Sequence, residues 1–179
     1  MASGPAAATR AKTAARSHSK GVMTQGQGPA RTVAVAGVVG ALYVVLSLLV
    51  APLAYGPIQF RLGEILKPLV IKYPSTIPAF AIGVGIVNLF SPQAGGLELI
   101  LMPIVNLVGG TLCWFVARRI GGVAGTYIAT LVFALVITAG VATVLHFTVG
   151  LPYLLAFGSV AVSEVVLLLL GNAVLVRRI

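Results

Sequence analysis

The chain has 179 residues, of which 59% are apolar and only 8% charged, with a formal net charge of +9. Soluble domains carry about 25% charged residues, so a water-exposed globule is excluded for want of polar side chains to cover it. Intrinsic disorder of the whole chain falls on the same numbers, which leaves an integral, all-α membrane protein.

Residues 1–31 are rich in Ala, Gly, Ser, Thr and Gln and carry Arg10, Lys12, Arg16, Lys20 and Arg31 without an acid. They are expected to form a disordered basic tail. An organelle transit peptide is the lesser alternative, and the apolar run that comes next is too long for a secretory signal. Residues 32–179 are expected to form one transmembrane helical domain of about six spans, each of roughly 20 residues where it crosses fully.

Uncharged stretches set the spans. Span one is expected at 32–53, closed by Pro52, and span two at 57–73, with Pro57 in a first helical turn. Span three is expected at 77–90, entered through Ser75 and Thr76 as N-cap with Pro78 just inside. Span four covers 97–117. The long run after Arg119 is broken at Gly150-Leu151-Pro152, which gives span five at 123–148 and span six at 152–176. Spans two and three are short for a core of about 30 Å and thin the bilayer locally or form a re-entrant hairpin.

The basic residues set the orientation. With the N-terminus in the cytoplasm, the five tail residues, Lys72, Arg118, Arg119, Arg177 and Arg178 lie inside, and Lys67 lies close to that side. Arg61 alone lies outside. Both termini are therefore predicted to be cytoplasmic.

Polar groups inside a membrane are expensive, about 2.5–3.5 kcal/mol for an Asp, Lys or Arg near mid-span on insertion scales, so they mark function or a paired structural role. Most of them fall toward the outer side. Tyr55, Gln59, Phe60, Arg61 and Glu64 lie at the start of span two, Asn88 ends span three, Glu98 opens span four, and Tyr153 opens span six. Glu164 sits near the middle of span six, on nearly the same face as Tyr153. These residues are the candidate substrate contacts. For several of them a structural role competes. Arg61 and Glu64 at i,i+3 suit an internal ion pair, and Lys67 offers Glu64 another. Glu98 suits a helix N-terminus. Glu164 lines a pocket floor or bonds a neighbouring helix as a protonated acid. His146 reads as a headgroup-level residue, Trp114 and Tyr127 as interfacial aromatics, and Gly171 and Asn172 as packing. Ala36, Gly37, Gly40 and Ala41 give span one two small-xxx-small pairs, for packing within the chain or against another membrane subunit.

No Walker loop, no metal-ligand cluster and no nucleophile–base arrangement occurs, and Cys113 is the sole cysteine. An enzyme, a resident metal or cofactor, and ATP binding by this chain are not expected. The basic residues punctuate apolar segments without interleaved aromatics, which argues for contact with anionic lipid and against nucleic acid.

The stretch Tyr55-Gly56-Pro57-Ile58-Gln59-Phe60-Arg61-Leu62-Gly63-Glu64-Ile65-Leu66 resembles a signature of the QueT family of queuosine-precursor transporters, and Asn88-Leu89-Phe90 resembles that family's third-span ending. Gly63 stands where a Ser is usual, and Lys67 where a small polar residue is usual. The resemblance implies a substrate-binding (S) component of an energy-coupling-factor transporter in the plasma membrane. Such a component captures a small polar molecule near its outer face. Its first span contacts a membrane coupling subunit, and two ABC ATPases supply the energy. A 7-deazaguanine would then present its N1–H and amino group to a carboxylate, with Glu64 the first choice. Gln59 or Asn88 would serve the other edge, Tyr55, Phe60 or Tyr153 would stack on the ring, and Glu98 would meet any amine. A self-sufficient transporter of a vitamin or nucleobase is the alternative.

Overall fold

The structure is a computed structural model that describes residues 28–51, 59–92 and 95–176. The chain divides into two units, residues 1–33 and 34–179, and the helical domain is the second of them. The expected disordered tail lies almost wholly outside the described residues, as do Pro52, Tyr55 and Pro57.

Among the described residues there are only helices. They run α1 (Pro29–Leu49), a 3-10 helix (Leu62–Ile71), α2 (Thr76–Asn88), α3 (Gly96–Ile120), α4 (Gly122–Val149) and α5 (Tyr153–Gly171), which continues as a π-helical turn over Asn172–Val176. Four of these are long and apolar enough to cross a membrane: α1, α3, α4, and α5 with its extension. The Gly150-Leu151-Pro152 break divides α4 from α5 as expected, with Gly150 in the left-handed region at φ 74°.

Span two departs most from expectation. It is not a 17-residue α-helix but a ten-residue 3-10 helix. At about 2.0 Å per residue it covers only about 20 Å. Over its first two turns, residues 62–67, burial repeats in threes, which is the 3-10 period. Leu62 and Ile65 are partly exposed, whereas Gly63 with Glu64, and Leu66 with Lys67, are buried. Pro68 lies inside it. Span three is α2, thirteen residues long. Ser75 holds the N-cap position there but makes no side-chain cap bond; the Thr76 hydroxyl instead donates to the Tyr73 carbonyl at 2.7 Å.

The 3-10 helix is set in the interior, against α2, α3, α5 and the π-turn. Lipid is as apolar as leucine, so close packing and polar contacts must hold such a segment in place. Two glycines make that packing possible. A Cβ on Gly63 would collide with Ser47 Oγ and the Tyr43 carbonyl oxygen of α1. A Cβ on Gly171 would collide with the Ile65 carbonyl oxygen. Glycine at position 63 thus has a steric reason: the Ser47 hydroxyl fills the space a side chain there would need.

Candidate substrate-binding site

Two rows of side chains form the inner face of the 3-10 helix. The row Gly63, Leu66, Leu69 stands beside that of Glu64, Lys67, Val70, because residues three apart eclipse in this geometry. All six are buried, Glu64 and Lys67 at 1% exposure. An isolated charge at such a place is costly, so each must be paired.

Glu64 is paired on both oxygens. The Tyr43 hydroxyl of α1 donates to Oε1 at 3.0 Å, and Lys67 Nζ lies 2.5 Å from Oε2. Lys67 also stands over the rings of Tyr43 and Phe133, at 5.4 and 5.8 Å from their centroids. These contacts offset its desolvation. Of the two ion-pair partners open to Glu64 in the sequence, Lys67 makes the pair. Glu164, from α5, comes within hydrogen-bonding reach of Glu64 and keeps Oε2 without a hydrogen-bond partner. Ser163 beside it donates to the Val160 carbonyl at 2.9 Å and to the Gln59 carbonyl at 3.5 Å.

Arg61 gathers the other polar residues. Its Nη1 donates to Asn88 Oδ1 at 3.0 Å, and its Nη2 lies 3.7 Å from Glu98 Oε1. One guanidinium fork therefore joins the end of α2 to the start of α3. Glu98 stands in the first turn of α3 without serving as its cap. Arg61, Asn88 and Glu98 are each at least nine-tenths buried, yet Asn88 Nδ2 and Glu98 Oε2 have no hydrogen-bond partner. A small cavity of about 10 Å³, the space of about one water molecule, lies here, lined by Gln59, Arg61, Glu98 and Met102, with Val141, Val144 and Leu145 of α4 as its apolar wall. Gln59 holds a left-handed backbone at φ 48°, uncommon for a residue with a side chain. Such strain gathers where a side chain is needed in one place.

Not every candidate joins this cluster. Phe60 is half-buried. Tyr153 is 38% exposed and meets His146 and Phe157 in ring contacts. His146 Nδ1 lies 2.8 Å from the Leu151 carbonyl oxygen across the α4–α5 break. Trp114 lies under Arg118 at 4.6 Å. Asn172 donates to Thr126 Oγ1 at 3.3 Å. Tyr43 is the residue that sequence reasoning passes over. Its signal is spacing: Gly40, Tyr43 and Ser47 are the buried residues of α1 and lie on one face.

A second feature lies on α1 itself. Ala36, Gly37, Gly40 and Ala41 line a shallow apolar groove with Ala79 and Gly83 of α2. Gly40 is packed within the chain, where a Cβ would stand 3.2 Å from that of Ala79, whereas Gly37 has open space. The small residues thus divide between internal packing and a free surface.

Comparison with known families decides the class. A family model described as QueT transporter matches residues 33–177. The chain belongs to the QueT transporter family. It is a multi-pass plasma-membrane protein of a transporter family, not an enzyme. The match runs from within α1 to the π-turn of the QueT chain, including spans five and six, which hydropathy alone assigns. No curated protein and no solved structure matches it.

Proposed function

We propose that this QueT protein is the substrate-capture subunit of an energy-coupling-factor transporter and that its ligand binds at the Arg61–Asn88–Glu98 cluster. The observation that carries the reading is a pair of unsatisfied groups on the two residues that Arg61 joins: an amide donor on Asn88 and a carboxylate acceptor on Glu98, which lines the cavity. Buried polar groups are almost always paired, so two orphans held by one guanidinium mark a place that a ligand completes. A planar base with both donors and acceptors on its edge suits them, and Gln59 adds an amide with both capacities. A 7-deazaguanine, as the family resemblance implies, has such an edge.

In this reading Glu64 and Glu164 form the floor of the site, and Lys67 and Tyr43 hold Glu64 in position. Phe60, Tyr55 and Tyr153 remain candidates to cover the ring. The groove of Ala36, Gly37, Gly40 and Ala41 receives a coupling subunit, which two ABC ATPases drive. Both termini face the cytoplasm, and the site opens outward.

The test is calorimetric titration of the purified protein, alone in detergent, with queuine, its aminomethyl precursor and guanine. Submicromolar binding of a deazaguanine without any partner is expected. Folded protein that binds none of them overturns the ligand assignment. Uptake into liposomes by this chain without ATPases would favour the alternative, a self-sufficient transporter, for which the buried Glu64–Lys67–Glu164 group is the supporting feature.

A further inference from the structure

Glu164 of α5 and Glu64 of the 3-10 helix are two buried acids, at 2% and 1% exposure, and their side chains hydrogen-bond each other. A carboxylate accepts and cannot donate, so a bond between two carboxyl groups requires a hydrogen on one of them. The surroundings decide which one carries it. The Tyr43 hydroxyl and the Lys67 ammonium are both committed to Glu64, and together they satisfy a negative charge there. Glu164 keeps Oε2 without a hydrogen-bond partner, a condition that a neutral acid bears far better than an anion. With the hydrogen on Glu164, one lysine faces one carboxylate, and no surplus charge is left at that depth in the membrane. The two elements are also pressed together further along. About two helical turns beyond Glu164, Gly171 brings the α5 backbone against the Ile65 carbonyl.

We propose that Glu164 is a proton-binding site: it stays a neutral carboxylic acid in the folded protein, gives its hydrogen to Glu64, and loosens α5 from the 3-10 helix when alkaline pH removes that proton. The inference does not depend on which ligand the protein takes. The charged groups that face Glu164 are Glu64 and Lys67 of the 3-10 helix, Arg61 just before it, and Tyr43 of α1, whose hydroxyl feels the Glu164 charge. The only titratable residues of α4, which packs on α5, are Tyr127 and His146, toward its two ends, and Tyr153 opens α5 itself. Loss of the proton sets two like charges against one lysine, and the bond between the acids becomes a repulsion. The folded chain binds a proton that an exposed glutamate has given up at neutral pH, so stability declines as pH rises.

The experiment is infrared spectroscopy of the full chain in detergent, with glutamate isotope-labelled at its side-chain carboxyl. The three acids of the chain are all Glu, so the labelled acid bands report Glu64, Glu98 and Glu164 alone. A protonated carboxyl band is expected at neutral pH. Glu164→Gln keeps a neutral donor to Glu64 and is expected to lose that band while melting close to wild type. Labelled acids that are all ionised in wild type overturn the inference, as does a protonated band that persists in folded Glu164→Gln. Should Glu164→Gln not fold, Glu98→Gln assigns the band: it is expected to remain there, and its loss overturns the inference. Melts of wild type and Glu164→Gln from about pH 6 to 9 test the loosening. The stability of wild type relative to the variant is expected to fall with pH, by up to about tenfold in the folding constant per pH unit, the limit for one proton. Parallel pH profiles overturn the alkaline release.

Discussion

The Tyr43 hydroxyl donates a 3.0 Å hydrogen bond to Glu64 Oε1 across 21 residues of sequence, and it ties α1 to the interior 3-10 helix. Because the Tyr43 ring also packs edge-on against Phe80 of α2 at 5.6 Å, one side chain joins three elements. Removing the hydroxyl alone tests the bond without removing the ring. Tyr43→Phe is expected to cost about 1–2 kcal/mol, because a buried charged acceptor loses a donor. A thermal melt in detergent would show this as a fall of roughly 2–8 °C for a chain of this size. An unchanged melt would mean that the bond contributes nothing.

The Glu64–Lys67 pair makes a stronger prediction. Breaking a buried pair from one side leaves an uncompensated charge and costs about 3–5 kcal/mol, whereas replacing both partners by neutral groups can be nearly neutral. Glu64→Gln and Lys67→Met are each expected to destabilise severely. The double variant is expected to recover much of the loss. A double-mutant cycle on melting stability measures the coupling, and additive effects would refute the pairing.

The glycine contacts separate packing from helix propensity. Gly171→Ala drives a Cβ into the Ile65 carbonyl oxygen, and backbone cannot move aside cheaply. A loss of about 1–3 kcal/mol or more is expected. Gly158, on the same helix, has nothing within 4 Å of an added Cβ. Gly158→Ala is expected to be neutral or stabilising by up to about 1 kcal/mol. Expression yield and melting temperature of the two variants, compared side by side, check the contrast.

Arg61→Lys keeps the charge but loses the fork that holds Asn88 and Glu98 together. Deazaguanine affinity is expected to fall at least about tenfold, the equivalent of roughly 1.4 kcal/mol. The melting temperature is expected to move less than in the Glu64 or Lys67 single variants. Titration calorimetry of the variant against wild type reads both the affinity and the fraction of active protein.

Much of the fold is legible in the sequence for physical reasons. Uncharged runs long enough to cross a bilayer, and helix breakers such as Gly150 with Pro152, are local properties, and they locate α3, α4 and α5 to within a few residues. The meeting of Gln59, Arg61, Asn88 and Glu98 follows from placing rare polar groups on one side of the membrane. The 3-10 form of residues 62–71 is not legible, because tertiary packing around Gly63 and Gly171 selects it over the α form. Lys67 reads from sequence as a partner open to Glu64, in competition with Arg61, but its neighbours in the chain do not disclose that Tyr43 and Phe133 enclose it. Ser75 holds its cap position but not its cap bond, and that choice depends on backbone detail that residue type leaves open.

At 3.0 residues per turn, each residue of the 3-10 helix advances it by about 120°. Glu64 and Lys67 therefore keep company only while the spacing between them is a multiple of three. A one-residue insertion between them turns Lys67 toward the surface now held by Leu62 and Ile65, the partly exposed row. A three-residue insertion restores the alignment one turn further on. The segment is under a reading frame written in space, and length changes within it are expected to be tolerated only in triplets.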